Sequence, residues 1–161
     1  FMIWEKLNEN LIALNLEAES SDDIFEELGG RLIREGYCKE SYIEALKERE
    51  RNYPTGIDLQ GINFAMPHTD RNHVNKTGFA IGVLNKPVHF YHMGTNDQDV
   101  MVSLVIMLAV ENPEAHLAVL DRLISLFNQQ EIRNSLMTAQ KPLDIIQLFK
   151  NKEKQLDNQL S

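Results

Sequence analysis

The spacing of apolar residues changes twice along this chain, from helical to strand-like and back. Ile24, Phe25, Leu28, Leu32 and Ile33 recur at helical spacing behind Ser20 and Ser21, either of which can cap a helix. Asp22 and Asp23 then fall in its first turn, at the positive end of the helix dipole, and Gly36 closes the segment. A second helix is predicted from about Glu40 to Arg51, with Tyr42, Ile43 and Leu46 inward, ending before the loop signal Pro54-Thr55-Gly56. Short apolar runs follow at Ile62–Met66, Gly78–Leu84, Val88–Phe90 and Val100–Leu108, and these predict strands. The last is apolar almost throughout, as a central strand covered on both faces requires. Helical spacing returns from Pro113 to about Phe127, with Leu117, Leu120, Leu123, Ile124 and Phe127 as its core stripe. It continues over Glu131–Ala139 and over Pro142–Phe149, where proline takes a favourable first position. Residues 151–161 are polar, and a frayed tail is expected there. No internal repeat or linker interrupts the series. Helices, then strands, then helices predict one α/β layered domain with a mixed sheet over residues 1–161, its core at about 10–150.

Composition narrows the partners. The chain has 161 residues, 43% of them hydrophobic, which suffices for one well-filled core. Its net charge is −8 and its pI about 5.1, the wrong balance for nucleic acid or for anionic lipid. The single cysteine, Cys38, excludes an internal disulfide and a cysteine-rich zinc site, and it reads as a buried structural thiol. No apolar run approaches the about 18 residues that span a bilayer. Phe1-Met2-Ile3-Trp4-Glu5 lacks the basic start and cleavage site of a signal peptide, so a soluble cytoplasmic domain without membrane insertion is expected.

The chemistry gathers around Ile62-Asn63-Phe64-Ala65-Met66-Pro67-His68-Thr69-Asp70. Pro67 cannot continue a central strand and holds Met66 extended, so His68 is delivered on a defined stem at the rim of the sheet. An imidazole there can be a nucleophile, a general base or a metal ligand. The chain has five histidines, His68, His73, His89, His92 and His116, and metal binding is one alternative. Against it, His89 and His92 would face opposite ways on a strand, and no His-Glu-x-x-His pattern occurs. His116 lies near the start of the helix after Pro113. If the strand before His68 runs parallel beside Val100–Leu108, His68 and His116 converge on one shallow site; otherwise His116 is a solvated helix-start residue. Arg49 is a surface charge paired with Glu48 or Glu50, unless the loop from Pro54 to Gly61 folds it back beside His68. Two histidines and an arginine, with no glycine-rich nucleotide loop, suit the handling of a phosphoryl group donated by a protein. A neutral imidazole accepts such a group on one nitrogen when its other N–H is held.

At these residues the chain resembles the type-2 enzyme IIA domains, the fructose–mannitol superfamily, of the bacterial phosphoenolpyruvate-dependent sugar phosphotransferase system. The resemblance rests on Gly61-Ile-Asn-Phe-Ala-Met-Pro-His68, on Arg49-Glu50 before Pro54-Thr55, and on Glu114-Ala115-His116-Leu117. Tyr53-Pro54-Thr55-Gly56, Pro67-His68-Thr69-Asp70 with His73-Val74, and Pro87-Val88-His89-Phe90 with Met93-Gly94 look most like the galactitol type. Phe64 and Thr69 depart from the general signature. The resemblance implies a three-layer domain with about five strands and helices on both faces. It also implies a phosphocarrier without cofactor or metal: His68 accepts the phosphoryl group from phospho-HPr, Arg49 and His116 stabilise it, and a separate IIB component receives it. Thr69 and Met93 are the expected partner contacts, and a membrane IIC component completes uptake of a galactitol-like sugar. A regulatory switch on the same histidine is the alternative that this resemblance leaves open.

Overall fold

A computed structural model describes residues 1–95 and 97–160. In chain order they form β1 (Ile12–Leu16), α1 (Ser21–Arg34), α2 (Tyr42–Asn52), β2 (Gly56–Ile57), β3 (Asn63–Ala65), β4 (Gly78–Tyr91), β5 (Asp99–Ala109), α3 (Pro113–Phe127), α4 (Gln130–Met137) and α5 (Pro142–Leu160). The strands make one five-stranded sheet in the order β1-β4-β5-β3-β2. β1 runs parallel to β4 and β3 parallel to β5, whereas β4–β5 and β2–β3 are antiparallel, so the sheet is mixed as expected.

Alternation along the central strands sorts the core into two halves. Val105, Met107 and Ala109 of β5 pack with Ile24, Phe25, Leu28 and Leu32 of α1 and Tyr42 and Leu46 of α2. Leu104, Ile106 and Leu108 face the other way, onto Leu123, Leu126 and Phe127 of α3, Ile132 and Leu136 of α4, and Ile145 and Phe149 of α5. These are the three layers. Phe64, one of the two departures from the resembled signature, is 1% exposed and meets Phe127 edge-on with ring centroids 4.6 Å apart.

Several sequence expectations change in detail. The runs Gly78–Leu84 and Val88–Phe90 form one strand, β4, whose ladder with β5 loses register between Val83 and Val88. The exposed Pro87 sits inside that irregular stretch, where no ladder donor is needed. β1 escaped the strand pattern because it is short and Asn15 takes a left-handed φ of 52°. In α3 the buried face is Val119, Leu123, Leu126 and Phe127, while Leu117 and Ile124 of the expected stripe are 70% and 40% exposed.

The expected frayed tail is helical instead, because its polar sequence hides an anchor. Glu153 on α5 is fully buried and accepts hydrogen bonds from the backbone N–H groups of Ile3 (2.9 Å) and Trp4 (2.8 Å). It also takes one from Arg122 at 3.2 Å, and Arg122 bonds Asp157 at 2.8 Å. The carboxylate therefore ties α5, α3 and the first turn of the chain together. Glu153→Ala leaves a guanidinium and two amides short of their partner. It is expected to cost about 3–5 kcal/mol in urea unfolding, and a change within error would show that the anchor contributes nothing.

Candidate active site

Parallel pairing of β3 with β5 places the first histidine. Asn63, Phe64 and Ala65 pair with Val102, Leu104 and Val105. Beyond the strand, the Leu108 N–H still donates to the Pro67 carbonyl (2.9 Å), and His68 bridges Leu108 in the same direction. The buried Tyr42 hydroxyl, from the first turn of α2, donates to the Leu108 carbonyl at 2.8 Å and pins that peptide from beneath. β5 then leads into α3, capped by the Asn112 side chain on the Glu114 N–H at 2.8 Å. His116 follows early in α3, and its ring centroid lies 4.8 Å from that of His68. The convergence that depended on parallel strands is present. An open cleft of about 380 Å³ is lined by both histidines with Arg49, Thr69, Arg71 and Pro113. The first turn of α3 borders it, so the positive end of that helix dipole favours an anion there.

The protonation of His68 follows from its partner. Its Nδ1 lies 2.8 Å from the Met66 carbonyl oxygen, which can only accept. Nδ1 therefore carries the proton, and Nε2 keeps its lone pair. Burial holds the His68 pKa below 6.5; the bond to Met66 and the charge of Asp70 oppose this, while His116 and the Arg49 guanidinium add to it. Burial, then Arg49, lowers His116 as well. Both rings are thus neutral at neutral pH. An NMR titration of the His68 ring is expected to show its midpoint below 6.5; a midpoint at or above that value would mean that desolvation and Arg49 do not govern the ring.

Arg49 reaches the cleft from the last turn of α2. Its guanidinium lies 4.2 Å over the Tyr53 ring, and its Nε is buried without a hydrogen-bond partner. Glu50 does not pair with it. Instead, the Glu50 carboxylate accepts from the Thr55 N–H (2.7 Å) and the Thr55 hydroxyl (2.8 Å). Burial pushes the Glu50 pKa up to about 7 against the lowering effect of those two bonds. Tyr53 and Glu50 were not among the expected site residues. The four-residue spacing of Arg49 and Tyr53 at a helix end was the available signal for the stack.

A second, more apolar cleft of about 480 Å³ meets the first at His68, lined by Tyr53, Pro54, Thr55, Met93 and Leu120. Thr69 and Met93 thus line different clefts, each bordered by His68. Tyr53 is 61% exposed, and with Leu117 and Ile124 it leaves apolar surface at the end of α2 and on α3. The remaining histidines are engaged elsewhere: His73 Nδ1 with the Ser41 hydroxyl, His89 Nε2 with Asp99, and His92 Nδ1 with the Met93 carbonyl. Among the described residues no group of three or more histidine, cysteine or acidic side chains is placed to hold a metal ion. Cys38 is buried in the turn after α1, with its thiol pushed up to about 12 by burial.

The family model described as phosphoenolpyruvate-dependent sugar phosphotransferase system, EIIA 2, matches residues 5–152. The chain belongs to this family. As an EIIA component it is a phosphotransferase that moves a phosphoryl group between proteins. The galactitol-specific EIIA component of Escherichia coli is 33% identical over 116 residues, covering 72% of this chain and 77% of that protein. The nitrogen regulatory protein IIA-Ntr of Neisseria meningitidis is 31% identical, with a TM-score of 0.73 over 91% of this chain and 98% of that one. The mannitol-type enzyme IIA of Escherichia coli, solved in complex with phosphorylated enzyme IIB, shares the fold with a TM-score of 0.76 at 23% identity, over 91% of this chain and 98% of that one. Among the described residues no helix of this EIIA chain is long and apolar enough to cross a membrane.

Proposed function

We propose that His68 is the phosphoryl acceptor of this EIIA and that the chain relays the group from phospho-HPr to a IIB component in the cytoplasm. The observation that carries this reading is the single tautomer of His68: Nδ1–H is held by the Met66 carbonyl, and Nε2 keeps its lone pair at a cleft that the Arg49 guanidinium also lines. The Nε2 lone pair attacks the phosphorus of the donor phosphohistidine. The new N–P bond forms as the old one breaks, and the donor imidazole leaves with that electron pair. Arg49 meets the charge on the phosphoryl oxygens, His116 donates an N–H, and the helix end of α3 adds its dipole. Transfer onward reverses the geometry, with a IIB cysteine thiolate as attacking group. Thr69 and Met93 belong to the surface on which these partners dock, together with the apolar rim of Tyr53 and Leu120. The galactitol-specific relative supports a sugar alcohol as the transported substrate.

A second reading is supported by the nitrogen regulatory relative at 31% identity: phospho-His68 as a signal held rather than passed on. Charging the protein with phospho-HPr and then adding the galactitol-type IIB separates the two. Relay predicts that the phosphoryl group leaves His68 on mixing and appears on IIB. Retention of the group on His68 in the presence of IIB would overturn the relay and leave the switch.

A further inference from the structure

Glu50 is an oddly placed acid. It occupies the last turns of α2, at the negative end of the helix dipole, where a carboxylate is unfavourable. It is half-buried, yet among the described residues no cation is its partner; both its oxygens are spent on Thr55, which is itself 2% exposed. Such a local conflict calls for a compensating role. The role is visible in what hangs on the loop between α2 and β2. From this loop Tyr53 supplies the ring on which the Arg49 guanidinium lies. From it also the Thr55 carbonyl accepts the Met66 N–H at 3.3 Å, and the carbonyl of that same Met66 holds His68 Nδ1 at 2.8 Å. The loop therefore supports both the acceptor ring and the cation, and the Glu50 carboxylate is what fastens it to the helix that carries Arg49.

We propose that Glu50 is a positioning residue for phosphoryl transfer, clamping Thr55 so that Arg49 and His68 are held in mutual register. This rests on the reading of His68 as acceptor. Glu50 touches neither the phosphoryl group nor its partners; it acts through two linked arms, Thr55–Met66–His68 and the loop to Tyr53 and Arg49. A carboxylate suits the clamp because it accepts from two converging donors at once, the Thr55 amide and hydroxyl. Its raised pKa, about 7, agrees with a group kept here despite desolvation rather than because of an ion pair.

Glu50→Ala, Glu50→Gln and Thr55→Val test this in the full chain. Two readouts are taken: single-turnover uptake from phospho-HPr over a range of donor concentrations, and the ring nitrogen shifts of His68 in the unphosphorylated protein. Glu50→Ala is expected to lower the maximal rate about 10–100-fold, as misplacement of reacting groups by about an ångström does, with the half-saturating donor concentration unchanged. Its His68 ring is expected to lose the pure Nδ1–H tautomer. Glu50→Gln restores both readouts, because its amide oxygen accepts from the Thr55 N–H and its NH₂ donates to the hydroxyl oxygen. Thr55→Val keeps the backbone arm and is expected to slow transfer by about 2–10-fold, the loss of one ordinary hydrogen bond. A wild-type maximal rate in Glu50→Ala, or in Thr55→Val should the alanine variant not fold, overturns the proposal. Equal slowing in Glu50→Gln and Glu50→Ala overturns it too, since charge and not geometry would then matter. If no variant, nor the parent, takes phosphoryl on His68, the acceptor reading has failed. The ring shifts still decide the positioning, for they need no donor.

Discussion

Replacing His68 by alanine is expected to abolish phosphoryl uptake from phospho-HPr, a loss on the order of 10⁶-fold, down to background, as when a covalent nucleophile is removed. The expectation is this severe because the cleft holds no substitute. His116 is close, with ring centroids 4.8 Å apart, but no hydrogen bond among the described residues fixes its tautomer. Either of its nitrogens can carry the proton, and its ring lacks the carbonyl stem that aims Nε2 of His68. His68→Ala should fold normally, since the side chain is only half-buried at the sheet rim and its one hydrogen bond is to a carbonyl of its own stem. Label appearing on His116 in that variant would show that the two histidines share the acceptor role. His116→Ala, by contrast, is expected to slow transfer while leaving the acceptor in place.

The second large effect belongs to Arg49. Arg49→Ala is expected to reduce the rate of uptake by about 10²–10³-fold, the range for losing one preorganised donor to a developing anion. The Arg49 guanidinium lines the cleft without an acidic partner among the described residues, so a phosphoryl group bound there is expected to be its first counter-charge. Arg49→Lys is expected to recover only part of the loss. An ammonium keeps the charge but has neither the planar fork nor the flat face that lies 4.2 Å over Tyr53. Rates are measured by rapid quench with labelled phospho-HPr. Unaltered rates in Arg49→Ala would remove the guanidinium from the site.

The stem of this site was legible in the sequence because its physics is local. An apolar run ended by Pro67 can only deliver the next residue beyond a strand, and His68 is that residue. His116 was legible as a condition: its place beside His68 required β3 to run parallel to β5, and strand pairing is a tertiary choice that periodicity does not encode. Arg49 was least legible, since on a helix surface it reads as a solvated charge. In the fold its guanidinium lines the cleft and lies over Tyr53, at the start of a loop held by a carboxylate that faces an amide and a hydroxyl rather than a cation. The same blindness accounts for the end of the chain. Residues after Asn151 are polar, but one of them, Glu153, is buried against the backbone of Ile3 and Trp4, a contact between the two ends of the sequence. Two of the five strands lay below the reach of alternation, β2 with two residues and β1 with a left-handed Asn15. In α3 the helical stripe was correct in period but rotated: Leu117 and Ile124 are turned outward.

The Met66 carbonyl makes the central claim sharper than the naming of a histidine, because it dictates which nitrogen reacts. The most direct test is ³¹P–¹⁵N coupling in the ring of the ¹⁵N-labelled protein after charging with phospho-HPr. The account predicts one phosphohistidine, His68, with phosphorus on Nε2 and the proton retained on Nδ1. Phosphorus on Nδ1 of His68, or on any other histidine, would contradict it.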